Sequence, residues 1–143
     1  MKRTIFTTPQ EAEAAFYEAL EKADLEAMMA VWADDEDIVC VHPGGERRSG
    51  LAQVRESWRQ IFSGAQTLSF RLRHQQSLNG MTLAVHSVYE LISVSGEARA
   101  RNPMIATNIY MRTGNGWRMV VHHASAAPAS PEAESNRAPK TLH

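Results

Sequence analysis

Residues 67–80 read TLSFRLRHQQSLNG, and within them the periodicity of the chain changes. Leu68, Phe70, Leu72 and His74 alternate with Ser69, Arg71, Arg73 and Gln75. A period of two places the first set on one face of a strand and the second on the other. Asn79-Gly80 then supplies the residues that tolerate positive φ at both centres of a tight hairpin. The chain must therefore turn back on itself along Met81–Val94, a long stretch that is apolar on both faces. A turn at Ser95-Gly96 leads into a strand over Ala98–Met111. Thr113-Gly114-Asn115-Gly116 makes a second hairpin, and Trp117–Ser125 returns as the last strand.

Upstream of residue 67 the period is helical. Thr8-Pro9-Gln10-Glu11 combines a capping hydroxyl, a proline at the first helical position and an acidic first turn. Ala12, Ala15/Phe16, Ala19/Leu20 and Ala23 form one apolar stripe along a helix running from Thr8 to Trp32. That helix is broken near Lys22–Asp24, with Asp24 capping a short second segment carrying Leu25, Met28, Met29 and Trp32. Ile38–His42 reads as a short strand stopped by Pro43-Gly44-Gly45. Leu51–Phe62 is a further helix with Val54, Trp58 and Ile61 on one side, ended at Gly64. Helices first, then long antiparallel strands, define an α+β fold with the N-terminal helices packed in a strongly curved antiparallel sheet. A sheet that curves cannot close flush on helices, so an internal pocket is expected between them.

A chain of 143 residues suits one domain, and we expect it over residues 1–127. Residues 128–143, rich in Ala, Pro and Ser, read as a disordered C-terminal tail. With 15 basic and 16 acidic residues, the chain has no cationic surplus to neutralise phosphates, so no nucleic-acid partner is expected. No apolar run approaches the length of a membrane span and no leader peptide is visible, which makes a cytoplasmic protein without a membrane partner the default. Cys40 is the only cysteine and sits in an apolar run, where a thiol behaves as a small hydrophobe.

The motif W-x-x-D-x-x-x-V-C-V-H-P-G-G over Trp32–Gly45, followed by G-x-x-x-V-x-x-S-W over Gly50–Trp58, resembles the SnoaL-like branch of the nuclear transport factor 2-like superfamily. The closing G-W-R-M-V-V-H-H-A-S over Gly116–Ser125 is similar to the final strand of the same family. The resemblance spans about residues 8–126. It implies a cystatin-like cone, with three helices set into a bent sheet and a pocket at its open end. It also implies a homodimer formed through the sheet faces. That superfamily includes ketosteroid isomerase, scytalone dehydratase and kinase association domains, so the fold does not fix a function.

Candidate site residues are polar or aromatic groups set among apolar neighbours. His42 ends its strand at the expected mouth of the cone and is a candidate catalytic acid/base, because imidazole titrates near neutrality. His122 and His123 point to opposite faces. Alternation groups His123 with Trp117, Met119 and Val121, which puts His123 inside unless a bulge reverses the order. Trp32, Trp58, Tyr89 and Asn108 are candidate ligand-binding groups, the tyrosine and asparagine as donors to a carbonyl or oxyanion. His42, His86 and one of His122 and His123 are the only grouping that suggests a metal. No helical His-x-x-x-His or cysteine pair supports it, so neither a metal nor a cofactor is expected. After Asp37 the chain has no aspartate. A strand aspartate cannot serve as proton shuttle, and acid–base chemistry would fall to histidine or to a buried Glu90 with a raised pKa. Two functions stay open: a module that binds a small molecule without catalysis, or a lyase, isomerase or cyclase using a pocket histidine. The lack of a complete acid–base dyad favours the first.

Overall fold

A computed structural model describes residues 4–64, 66–98 and 101–128, and these form three α-helices and six strands. Residues 129–143, most of the expected tail, lie outside the described residues. The first helix, α1 (Pro9–Lys22), begins where Thr8 Oγ1 accepts the amide of Glu11 at 3.0 Å. It ends at Ala23, whose φ of 50° is left-handed and lets its amide reach back to Ala19 and Leu20. Asp24 then caps α2 (Leu25–Val31), its Oδ1 accepting the Ala27 amide at 3.0 Å. The break expected near Lys22–Asp24 is thus one left-handed residue followed by a new cap.

Strand β1 (Val39–Val41) hairpins to β2 (Arg47–Ser49), a three-residue strand the sequence pattern does not announce. Helix α3 (Gly50–Phe62) follows at once. The long strands are β3 (Leu68–Asn79), β4 (Leu83–Val94), β5 (Met104–Thr113) and β6 (Gly116–Ala126). They assemble in the order β2-β1-β6-β5-β4-β3. All neighbours are antiparallel except β1 and β6, which run parallel with Cys40 opposite His122. The fold is therefore α+β with a curved, mixed sheet, β1 being joined to its parallel partner through everything between residues 41 and 116.

One face of this sheet packs against the helices. Ala84, His86, Val88 and Glu90 of β4 and Ala106, Asn108 and Tyr110 of β5 are buried on that face. Phe16, Met28, Trp32, Ile38, Val54 and Trp58 close over it and are at most 2% exposed. Each such side chain contributes about 1.5–3 kcal/mol through removal from water. The opposite face of β4 and β5 is half-buried, with Val85, Tyr89, Ile105 and Ile109 on it.

The strands carry two register shifts, and both matter for the site. In β3 the shift falls between Arg73 and Gln76, where His74 takes a φ of 52°. In the β5–β6 pair, Ile109 faces Val121 but Tyr110 faces Met119. Val120 is the extra residue of that bulge, and it inverts the alternation of everything after it. His122 consequently joins Met119 and Ala124 on the buried face, while His123 is exposed.

Candidate functional site

The bulge corrects one expectation directly: the inward histidine of β6 is His122, not His123. Tyr89 is corrected as well. It lies on the outer face opposite Arg73 and Ile105, its ring 5.7 Å from that of His74. Its neighbours in sequence, Val88 and Glu90, take the inner positions, so a tyrosine between them must point away. Trp32 is fully buried beside Met119, with which it forms an isolated bridge. His42, Trp58 and Asn108 do come together with His122. The His42 ring stands edge-on to Trp58 at 4.5 Å, and the His122 ring is 5.9 Å from Trp58 and 6.4 Å from His42. Phe16 adds a fourth ring, 4.8 Å from His122 and 5.6 Å from Trp58.

Asn108 connects this ring cluster to a second group, which pattern reading misses. Glu13 and Tyr17 sit four residues apart on α1, beside its apolar stripe, and both are buried against the sheet. Tyr17 Oη donates to Glu90 Oε2 at 2.6 Å and accepts from Asn108 Nδ2 at 3.0 Å. The same amide nitrogen is 3.3 Å from Glu13 Oε2, which also accepts from Tyr110 Oη at 3.0 Å. His86 Nδ1 lies 3.1 Å from that carboxylate oxygen, and His86 Nε2 is 3.1 Å from Asn79 Oδ1 at the edge of the sheet. Asn108 Oδ1 meets His122 Nδ1 at 2.6 Å. The only available signal for Glu13 and Tyr17 in the sequence is their i, i+4 spacing next to Ala12 and Phe16.

These contacts fix the direction of each hydrogen bond. A carboxylate only accepts, so the Asn108 nitrogen must face Glu13, and its oxygen must face His122. His122 therefore carries its proton on Nδ1 and leaves Nε2 as an acceptor. Burial, with smaller contributions from His42 and His123, lowers its pKa to about 3, so the ring is neutral. Burial and then Arg48 lower His42 to about 4. His42 Nε2 is 3.1 Å from Ser57 Oγ, whose own proton goes to the Val54 carbonyl at 2.8 Å. With its proton on that carbonyl, Ser57 Oγ can accept from a His42 Nε2–H. Burial pushes the Cys40 thiol up to about 12, as an inert core residue.

Glu90 is different. Burial raises its carboxyl to about 7, the Tyr17 hydrogen bond opposes the rise and the nearby Glu13 adds to it. Burial and the adjacent Glu90 also raise Tyr17 well above its ordinary value, so its phenol stays a donor. Glu90 is thus a buried carboxyl with a raised pKa. Among the described residues no group of three or more His, Cys, Asp and Glu is arranged to hold a metal ion.

Two surface clefts lie away from this network. One, of about 690 Å³, runs between Asp34–Asp37 and the start of α3. The other, of about 420 Å³, lies between the same acidic segment and the β5–β6 turn, with Arg118 and Val120 in its wall. Neither is lined by His42, Trp58, Tyr89, Asn108 or His123. Among the described residues no helix is long and apolar enough to cross a membrane.

Three helices set against one face of a bent six-stranded sheet define the cystatin-like, nuclear transport factor 2-like class of α+β protein. Within it, the chain belongs to the SnoaL-like domain family, whose model matches residues 10–130. The chain is similar to the structure of a candidate calcium/calmodulin-dependent protein kinase type II association domain from Thiobacillus denitrificans. The two are 38% identical, with 87% of this chain and 98% of that one covered and a TM-score of 0.78. A candidate dehydratase of the NTF2-like family from Streptomyces avermitilis is 30% identical, covering 85% and 95% of the two chains with a TM-score of 0.77. The F-box protein SKIP8 of Arabidopsis thaliana is 26% identical over 110 residues. That match takes in 77% of this chain but spans only 46% of the length of the plant protein.

Proposed function

We propose that this protein is a small-molecule-binding SnoaL-like domain, whose ligand enters the hollow between α1, α3 and the concave face of the sheet. One observation carries the reading. Glu13, Tyr17, Glu90, Asn108, Tyr110 and His122 are all buried and linked in one hydrogen-bonded network, with the buried His86 ring 3.1 Å from the Glu13 carboxylate. Apolar residues of similar volume would stabilise a core at least as well, so such a cluster is poorly explained by stability alone. The rings of Phe16, Trp58 and Phe62 beside it supply the apolar wall usual in ligand sites. A thermal-shift screen of carbonyl-bearing and aromatic compounds on the full chain tests the proposal. Binders should raise the melting temperature and perturb Trp58, and a screen in which nothing does so rejects it.

A second reading, an acid–base enzyme of the lyase or isomerase type, is favoured by Glu90. A carboxyl near 7 both gives and takes protons at neutral pH. The similarity to a candidate dehydratase points the same way. If it holds, binders found in the screen turn over, and Glu90→Gln keeps binding while turnover drops at least ~100-fold.

We also propose that the outer face of the sheet joins two copies of the chain. Val85, Tyr89, Leu91, Ile105, Ile109 and Val121 form a half-buried apolar surface there, which a second copy would cover.

A further inference from the structure

The hydrogen-bond chain buried between α1 and the sheet has a polarity, and it ends on two unused groups. Running from His122 Nδ1–H to Asn108 Oδ1, from Asn108 Nδ2–H to Tyr17 Oη, and from Tyr17 O–H to Glu90 Oε2, every donor points toward the carboxylates. His122 Nε2 is left at the far end as a lone-pair acceptor within the ring cluster. The indole N–H of Trp58, in a side chain only 2% exposed, has no hydrogen-bond partner among the described residues. The two rings are 5.9 Å apart, inclined at 38°. A buried donor without a partner is costly, and a ligand acceptor would recover that cost.

Charge narrows the choice further. The titratable groups of the network and the ring cluster are Glu13 and Tyr17 from α1, His86 and Glu90 from β4, Tyr110 from β5, His122 from β6 and, after β1, His42 with Cys40 against its ring and Arg48 of β2 acting on it. No lysine or arginine belongs to the network. An anion placed here would lose its hydration and meet the Glu13 and Glu90 carboxyl groups, while Arg48, whose charge reaches His42, lies outside the network.

We infer that the hollow takes an uncharged ligand presenting a hydrogen-bond acceptor and a donor side by side, a primary carboxamide being the simplest case, and that it rejects carboxylates. Trp58 Nε1–H donates to the carbonyl oxygen and His122 Nε2 accepts the amide proton. Asn108 is a positioning residue: its oxygen holds the His122 proton on Nδ1. This inference rests on the binding function proposed above and specifies its ligand class.

Three probes of one shape decide it: benzamide, benzoate and benzamidinium, titrated into the full chain with ¹⁵N-labelled histidine at pH 7.5. The His122 imidazole should show a protonated Nδ1 and a bare Nε2, and benzamide should shift the Nε2 resonance. Benzamide should bind at least about tenfold more tightly than either charged probe, because only it satisfies both groups. Trp58→Phe keeps the ring and should weaken benzamide about five- to tenfold. If that variant fails to fold, the three-probe comparison on the native chain still discriminates. Benzoate binding as tightly as benzamide overturns the inference and leaves the binding function standing. A His122 protonated on Nε2, or an Nε2 resonance unmoved by all three probes, also overturns it, while the wider screen separately judges the binding function.

Discussion

Tyr17 Oη donates to Glu90 Oε2 across 2.6 Å, tying α1 to β4 over 73 residues of chain. It is the contact that lets a carboxyl group stay buried between α1 and the sheet. Tyr17→Phe removes the donor and leaves the carboxyl with its desolvation unrelieved. The Glu90 midpoint should move above about 7, readable by carboxyl ¹³C titration, with a stability loss of about 1–3 kcal/mol. A midpoint at or below its native position would contradict the role given to Tyr17.

Glu90 also sets a pH dependence of stability. Its folded pKa of about 7 lies above the ordinary 4.5, so the native state holds the proton more tightly than the unfolded chain. The resulting stabilisation is complete below pH 4.5 and is lost as pH rises through 7. The whole excursion is on the order of 3 kcal/mol. Glu90→Gln keeps an acceptor for Tyr17 and removes the titration. Relative to the native chain it should gain stability between pH 5 and pH 8, as measured by urea unfolding at each pH.

His42 acts in the opposite sense. Its folded pKa of about 4 is below the ordinary 6.5, so its contribution is present above pH 6.5 and is lost as pH falls toward 4. His42→Gln should flatten the acid limb of the stability curve by up to one proton, about 1.4 kcal/mol per pH unit. An unchanged acid limb would mean that His42 titrates alike in the folded and unfolded chains.

Gly116 and Gly114 make a matched pair in the last hairpin. Gly116 has a φ of 90°, and a Cβ there would stand 2.7 Å from the Phe6 carbonyl oxygen. Gly116→Ala should cost about 2–3 kcal/mol, from both backbone strain and that collision. A Cβ on Gly114 meets nothing within 4 Å, so Gly114→Ala should fall within about 0.5 kcal/mol of the native chain. Equal effects in a denaturant titration would remove the distinction.

The proposed pairing of two chains predicts a solution mass near twice 15.9 kDa at micromolar concentration. Ile109→Glu, on the outer face of β5, should return the mass to that of one chain without disturbing the inner face. Light scattering gives both answers, and a native chain already at 15.9 kDa would end the proposal.

The elements are legible in the sequence because they rest on local chemistry. Thr8, Pro9 and Asp24 announce helix starts, and the even spacing from Leu68 to Leu72 announces a strand. The parallel pairing of β1 with β6 is not legible, since nothing local reports which strand a three-residue segment will join. In the site, His42, Trp58 and Asn108 are recognisable by their motif or by alternation. Alternation misplaces His123 because the bulge at Val120 adds a residue that no turn or glycine marks in the sequence. Tyr89 has the chemistry of a pocket residue, but its own alternation with Val88 and Glu90 turns it outward. Glu13 and Tyr17 escape notice because a glutamate beside an apolar stripe ordinarily faces water, and only the hydrogen bonds supplied by Asn108 and Tyr110 make its burial tolerable.

The position of β6 has a consequence for biosynthesis. This strand lies between β1 and β5, bridges Phe6 through Gly116 and Trp32 through Met119, and sends Arg118 to the carbonyls of Thr4 and Ala30. Phe6, Trp32 and β1 thus wait for a strand translated after every other strand described. Until residues 116–126 leave the ribosome, β1 has no parallel neighbour and the first helices have half a floor. The nascent chain must carry exposed Phe16, Trp32 and Trp58 until β6 emerges, so chaperone dependence should be concentrated before that point.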